Sequence, residues 1–177
     1  MFTAHTIESA PAAARRPMTA TISHNGFLPT AVAQMATSPE LLDGFLKMST
    51  AFDGTTLDPF AREVLIMTMA TRNGCHLCVA MHTARLTKLG ADDALIAALR
   101  SGSALADERL EAIRVFTLQV LDTTGDVGDD ALKAFLAQGY TERNALEVVL
   151  GIGAYTMSTL ANRLTDAPID EPLRQFA

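Results

Sequence analysis

Helix-start signals recur along the middle of this chain, and they constrain its fold more than any other feature. Ser38-Pro39-Glu40 combines an N-cap residue, a proline in the first turn and an early acid, and Asp58-Pro59 repeats the signature. Apolar residues recur with the helical period, whereas runs that alternate apolar and polar residues are scarce. The sequence therefore predicts an all-α fold. The predicted helices are Pro39–Phe52, Asp58–Arg72, Cys75–Lys88, Asp92–Arg100, Asp107–Thr123, Asp129–Gln138 and Thr141–Leu164.

Length and composition predict one domain that buries part of its surface against other copies. A chain of 177 residues supplies a single sizeable core, and its residues are 49% hydrophobic but only 19% charged. We expect residues 1–25 to form a mobile arm and residues 26–177 to form the helical domain. The segment Leu150–Ser158 is rich in small residues, which favours close packing in the core or across a subunit interface.

Charge and hydropathy exclude two classes of partner. The formal net charge is −6 and there is no run of basic residues, which argues against nucleic acid or an anionic membrane. Apolar stretches are interrupted well before they span a bilayer, and the alanine-rich start lacks the apolar region of a signal peptide. We therefore expect a soluble, cytoplasmic protein. In a reducing compartment, its two cysteines indicate catalysis or metal binding rather than a structural disulfide.

The segment from Cys75 to His82 holds both cysteines of the chain, with a histidine close behind them. On a helix, Cys75, Cys78 and His82 lie at positions i, i+3 and i+7 on one face, so the thiols are within reach of a disulfide. Cys75 stands at the predicted helix start, where unpaired N–H groups and the helix dipole favour a thiolate. The i, i+4 spacing brings the His82 imidazole to the Cys78 sulfur. We expect His82 to deprotonate Cys78, and Cys75 to resolve the intermediate.

A carboxylate that orients His82 is predicted at Glu63, on the preceding helix. The turn Asn73-Gly74 makes the two helices antiparallel neighbours. Glu63 lies ~15 Å of helix before this turn and His82 ~12 Å after it, so the two side chains have similar heights. A carboxylate on the second ring nitrogen would fix the tautomer of His82 and stabilise its imidazolium form. The chain thus contains the parts of an activated dithiol.

Other interpretations of these residues remain open. Two cysteines, a histidine and a glutamate are also zinc ligands, although three ligands from one straight helix constrain a tetrahedral site. The same residues are also compatible with an inert remnant of the fold. Glu63 by itself is equally compatible with a buried ion pair to Arg62 or Arg72. His76 is expected to be an exposed helix residue.

The four residues Glu63, Cys75, Cys78 and His82 resemble, in type and spacing, the motif of the alkylhydroperoxidase D-like group in the carboxymuconolactone decarboxylase superfamily. One departure is that Leu77 stands immediately before the second cysteine, where alkylhydroperoxidase D itself carries a histidine. Weaker similarities extend the resemblance over about residues 26–170, at Gly26–Pro29, Ser38–Leu42, Asn162 and Pro168–Asp170.

The resemblance implies an all-α enzyme that assembles as a trimer or hexamer and has no metal or organic cofactor. Its expected activity is the reduction of a peroxide substrate through a Cys75–Cys78 dithiol/disulfide cycle, with Glu63 and His82 as the proton relay and a thiol or lipoyl electron donor. Two alternatives belong to other classes. One is a lyase that decarboxylates a γ-lactone, which does not need two cysteines, and the other is a non-enzymatic, redox-responsive assembly protein.

Overall fold

A computed structural model describes residues 2–177, which fold into nine α-helices and one 3₁₀ helix without a β-strand. The all-α prediction is confirmed. None of these helices has both the length and the apolar character needed to cross a bilayer. In chain order the elements are α1 (Ala12–Asn25), α2 (Thr30–Met35), α3 (Pro39–Asp53), α4 (Pro59–Arg72), α5 (His76–Leu89), α6 (Asp93–Ser101), α7 (Glu108–Asp122), α8 (Gly128–Ala137), α9 (Glu142–Leu164) and the C-terminal 3₁₀ helix (Glu171–Phe176).

Six of the seven predicted helices begin at a capping side chain, and α8, whose N-cap is Val127, has no such cap. The Asp58 side chain accepts a hydrogen bond from the Ala61 amide at the start of α4, and Ser38 caps α3 in the same way. At the start of α9, Thr141 and Asn144 cap each other's backbone amides. These bonds satisfy amides that have no partner within the helix, so the capped helix starts are fixed by their local sequence.

Helix α4 is the centre of the core and lies against α5, α7 and α9. Every residue from Glu63 to Ala70 is buried, so the helix is surrounded on all sides. The turn at Asn73-Gly74 leads directly into α5, and Gly74 adopts a positive φ of 63° there. Side chains of α9 hold the turn in place, because Arg163 donates to the Asn73 carbonyl and Thr159 Oγ1 accepts from Asn73 Nδ2. Helices α4 and α5 are therefore antiparallel neighbours fixed relative to α9.

The structure gives the N-terminal segment a helix that the sequence analysis did not predict. Much of the expected mobile arm forms α1, which packs on α3 and buries Ala14 and Met18. The short helix α2 and the C-terminal 3₁₀ helix were also not predicted. Asp170 links the C-terminal segment to the start of α2, because its carboxylate accepts hydrogen bonds from the backbone amide and the hydroxyl of Thr30.

Candidate active site

Cys75 and Cys78 form a disulfide at the start of α5, with their Cα atoms 5.3 Å apart. Cys75 is the N-cap residue, and its sulfur accepts a hydrogen bond from the Cys78 amide at 3.3 Å. Both cysteines are buried, with relative exposures of 2% and 3%. Ile169 and Leu173 of the C-terminal segment pack against the apolar cluster that contains both cysteines. The sequence spacing therefore does bring the two sulfurs together, and the fold shields them from bulk water.

Glu63 and His82 form a buried pair across the α4–α5 interface. His82 Nδ1 lies 2.6 Å from Glu63 Oε2, and Arg85 Nη1 lies 3.6 Å from the other carboxylate oxygen. Burial raises the pKa of Glu63, but the charge and hydrogen bonds of His82 and Arg85 outweigh that effect, so its pKa lies below the ordinary value. An ionised carboxylate only accepts hydrogen bonds, so Nδ1 carries the proton and donates it. In neutral His82, Nε2 is then a free base.

The partners of Glu63 settle the alternative ion pairs considered from the sequence. Arg62 donates to the Leu57 carbonyl, and Arg72 pairs with Asp122 at 2.7 Å. Neither arginine is a partner of Glu63. The helix-height argument therefore identified the correct partner, His82, from the sequence alone.

The expected contact between the His82 ring and the Cys78 sulfur stays a prediction. Among residues 2–177 no hydrogen bond joins this ring to a cysteine sulfur, and its hydrogen bond is the short one to Glu63. The Cys78 sulfur instead accepts a hydrogen bond from Nδ2 of Asn162 at 3.3 Å, and this asparagine comes from α9.

Two residues of α9 belong to the site although the sequence alone does not predict them as functional residues. Tyr155 places its ring edge-on to His82 with centroids 5.6 Å apart. In the sequence, Asn162 stands out only as part of a weak family similarity. Its polar side chain is 5% exposed and contacts Cys78. The signal available in the sequence was the presence of polar residues on a helix face that is otherwise apolar.

A cavity of about 340 Å³ opens onto Cys78 and His82. Its wall is mostly apolar, with Arg85, Asp53 and His24 among the few titratable groups. Helix α1 forms one side of the cavity, so the segment expected to be a mobile arm helps to build the site. Cys75 is not part of the wall. The lining residues are Pro17, Ala20, Thr21, His24, Asn25, Pro29, Ala31, Val32, Met35, Phe45, Leu46, Ser49, Thr50, Asp53, Cys78, Met81, His82, Arg85, Tyr155, Ser158 and Asn162.

The other histidine of the cysteine segment, His76, is exposed, as the sequence predicted. Within residues 2–177, no group of three or more histidine, cysteine, aspartate or glutamate side chains is arranged to hold a metal ion. The zinc interpretation of Glu63, Cys75, Cys78 and His82 thus gains no support from the geometry. The two sulfurs are bonded to each other and the carboxylate is bonded to the imidazole.

Comparison with known proteins agrees with the fold and with the resemblance. Residues 39–117 match the Carboxymuconolactone decarboxylase family. No curated protein is significantly similar to the chain in sequence. An alkylhydroperoxidase AhpD core protein from Ralstonia eutropha JMP134, described as an uncharacterized peroxidase-related protein, superposes with a TM-score of 0.86 at 18% identity. The match covers 97% of this chain and 93% of that one.

Two further solved structures share the fold. A peroxidase-related protein from Silicibacter sp. TM1040 has a TM-score of 0.79 at 18% identity, covering 94% of this chain and 90% of its own. The debrominase Bmp8 in complex with 2,3,4-tribromopyrrole also has a TM-score of 0.79, at 16% identity, covering 99% of this chain and 95% of its own. At these identities the likeness concerns the fold. The family match over residues 39–117 and the shared AhpD-like fold are both in line with the resemblance carried by Glu63, Cys75, Cys78 and His82.

Proposed function

We propose that this protein is a dithiol-dependent oxidoreductase that reduces organic hydroperoxides, with Cys78 as the attacking thiol and Cys75 as the resolving thiol. One observation carries the proposal. The bonded cysteine pair meets a mostly apolar cavity at Cys78, beside a buried Glu63–His82 pair. A nucleophile, a base and a carboxylate that orients the base are the parts that thiol catalysis needs.

The reaction begins with the Cys78 thiolate attacking the terminal oxygen of the hydroperoxide. The O–O bond breaks, the alkoxide leaves with the electron pair, and a proton from the site converts it to an alcohol. Cys78 becomes a sulfenic acid. The Cys75 thiol then attacks the Cys78 sulfur and releases water, which leaves the disulfide. In total, one hydroperoxide and two thiols give one alcohol, one water and one disulfide.

His82 is the group that we assign to proton transfer in this cycle. Its Nε2 is free to take a proton from the Cys78 thiol and to return it to the leaving alkoxide, through one water where the distance requires it. Glu63 holds the opposite nitrogen and stabilises the imidazolium form. Together with His82, Arg85 at 3.6 Å from the carboxylate holds the pKa of Glu63 below its ordinary value despite burial, which favours the ionised form.

The electron donor that restores the dithiol is proposed to be a thiol or a dihydrolipoyl group in the reducing environment of the cytoplasm. Both sulfurs are at most 3% exposed, and the cavity that reaches Cys78 has a volume of about 340 Å³. These dimensions favour a slender donor over the flat surface of a folded protein. The donor thiolate would attack one sulfur to form a mixed disulfide. A second thiol, from the same dihydrolipoyl group or from another thiol molecule, would then release the donor as a disulfide and leave both cysteines as thiols.

A trimer or hexamer is proposed as the assembly. Four large apolar side chains on α9 are exposed, and their spacing places them along one side of the helix. An apolar helix face of this kind is typical of an interface between identical subunits. The four are Leu146, Val149, Leu160 and Leu164, which are 73%, 52%, 55% and 73% exposed.

Reductive dehalogenation is a second candidate, favoured by the shared fold with the debrominase Bmp8 and by the apolar wall of the cavity. In that reaction the Cys78 thiolate would attack bromine, the carbon would take the electron pair and then a proton, and Cys75 would displace bromide to form the same disulfide. Both reactions use the dithiol as a two-electron donor. They differ in the electrophilic atom, which is oxygen in one case and bromine in the other.

The test is a stoichiometric pulse of cumene hydroperoxide on the reduced protein, followed by alkylation and mass spectrometry. We expect a Cys75–Cys78 disulfide and one equivalent of alcohol. Cys78→Ser should abolish the reaction, whereas Cys75→Ser should stop after one turnover at a sulfenic acid on Cys78. A parallel pulse of 2,3,4-tribromopyrrole, with bromide measured, examines the second candidate. Two thiols that remain free after both pulses would overturn the oxidoreductase proposal and favour a lyase or a non-enzymatic role.

A further inference from the structure

The amide of Asn162 joins α9 to the sulfur that faces the cavity. Its Nδ2 donates to the Cys78 sulfur at 3.3 Å and to Ser158 Oγ at 3.5 Å. The side chain is 5% exposed and lines the cavity. Its other polar atom, Oδ1, is buried without a hydrogen-bond partner among the described residues. Buried polar atoms in folded proteins nearly always have partners, so this arrangement needs a reason.

The unpaired oxygen indicates what determines the orientation of the amide. If the amide were rotated by half a turn, Oδ1 would face Ser158, whose hydroxyl can donate to it. The same rotation would turn an acceptor toward the Cys78 sulfur, which is itself an acceptor when it is ionised. The observed orientation leaves the oxygen unpaired and keeps an N–H donor on the sulfur. It therefore suits a sulfur that carries negative charge.

We propose that Asn162 is the hydrogen-bond donor that stabilises the Cys78 thiolate. This role rests on the assignment of Cys78 as the attacking thiol in the proposed function. A hydrogen bond to a thiolate is charge-assisted and stronger than the same bond to a disulfide sulfur. The amide is neutral at every pH, so it stabilises the thiolate without titrating. It also favours the reduced form, which makes the disulfide easier to reduce.

The charged groups around Cys78 come from several helices and must be separated from the effect of Asn162. His82 and Arg85 lie on α5, and Glu63 lies on α4. His24 of α1 and Asp53 of α3 line the same cavity. Variants at Asn162 keep these five groups unchanged. A shift in the pKa of the Cys78 thiol on replacing the amide therefore reports on Asn162 itself.

The first experiment measures the rate of iodoacetamide alkylation of Cys78 against pH. The reference protein carries Cys75→Ser, so that Cys78 is its only thiol, and serine is a good N-cap. Adding Asn162→Ala should raise the pKa of the Cys78 thiol by about one unit and slow alkylation near neutral pH about tenfold. Asn162→Asp has the same shape, and its carboxylate should raise that pKa further. The matched control Ser158→Ala removes the other partner of the amide and should leave the pKa unchanged.

A folded Asn162→Ala protein with an unchanged Cys78 pKa, or an equal shift in Ser158→Ala, would overturn the proposal. A second experiment needs no substitution at Asn162. In the reduced wild-type protein labelled with ¹⁵N-asparagine, one side-chain proton of Asn162 should shift downfield as Cys78 ionises, with the same apparent pKa as alkylation. A resonance that does not follow this titration would also refute the assignment. Neither experiment includes a peroxide or a bromopyrrole, so failure to turn over these substrates is a separate result that bears on the proposed function alone.

Discussion

Among the glycines of this chain, Gly151 has the least room for an added Cβ atom. A Cβ atom at Gly151 would lie 2.6 and 2.8 Å from two ring carbons of Phe52 and 2.9 Å from a methyl carbon of Leu65. Ordinary carbon contacts are about 3.5–4.0 Å, so Gly151→Ala overlaps two buried side chains at once. Overpacking of this kind costs up to about 3 kcal/mol, while replacing glycine in a helix returns about 1 kcal/mol. We expect a net loss of about 2 kcal/mol.

The matched control is Gly153→Ala, two residues further along the same helix. There the added Cβ would meet only the terminal methyl of Met48 at 3.1 Å, and this flexible end can move. This variant gains the same helix propensity without the rigid clash, so its stability should equal or exceed that of the wild type. Comparing the two variants cancels most effects on the unfolded chain.

The assay is unfolding followed by circular dichroism, with heat and with urea, on the oxidised protein. A net loss of about 2 kcal/mol lowers Tm by roughly 4–8 °C in a chain of this size. The effect should extend to the site, because the Phe52 ring packs edge-on against Tyr155, which packs against His82. If Gly151→Ala were as stable as Gly153→Ala, the close approach of α9 to Phe52 and Leu65 would be wrong.

Two further predictions concern the buried pair and the exposed face of α9. Because the folded-state pKa of Glu63 lies below its ordinary value of 4.5, its ionised form stabilises the fold above that pH, and the contribution disappears as the pH falls through the lowered pKa. Glu63→Gln should therefore cost about 2 kcal/mol near pH 7 and less in acid, and a cost that grows on acidification in urea unfolding would contradict this. Leu160→Glu should reduce the light-scattering mass at micromolar concentration, whereas Leu89→Glu, at a site 40% exposed on α5, should not. An unchanged mass for Leu160→Glu would exclude this face as the interface.

The helices that the sequence predicted are those whose start signals are local. Helix α1 lacks such signals, because its N-cap is Pro11, which makes no side-chain cap, and its first turn has no acid. Pro17 lies inside it, which argues against a helix when the sequence is read alone. Its stability comes instead from burying Ala14 and Met18 against α3, and these contacts depend on residues far along the chain. Local patterns cannot report such an interaction.

Some contacts of the site follow from nearby sequence, and others depend on residues far apart in the chain. Glu63 and His82 were paired correctly because a tight turn converts sequence separation into height along two antiparallel helices. Asn162 stands 84 residues from Cys78, and no local rule fixes how α9 is rotated about its axis. The rotation of α9 about its axis, which brings Asn162 to Cys78, is seen only in the three-dimensional structure.

The face of α9 that is turned toward the site carries a pattern that explains why these residues act together. Gly151, Tyr155, Ser158 and Asn162 follow one another at intervals of four, three and four, so they lie on one side of the helix, and all four are buried. The glycine lets α9 approach Phe52 closely, and that approach brings the following polar side chains to His82 and Cys78. A buried asparagine weakens an ordinary core, so the place of Asn162 on this face is best explained by its hydrogen bond to the Cys78 sulfur. The packing that stabilises α9 and the chemistry proposed for Cys78 therefore depend on the same helix face.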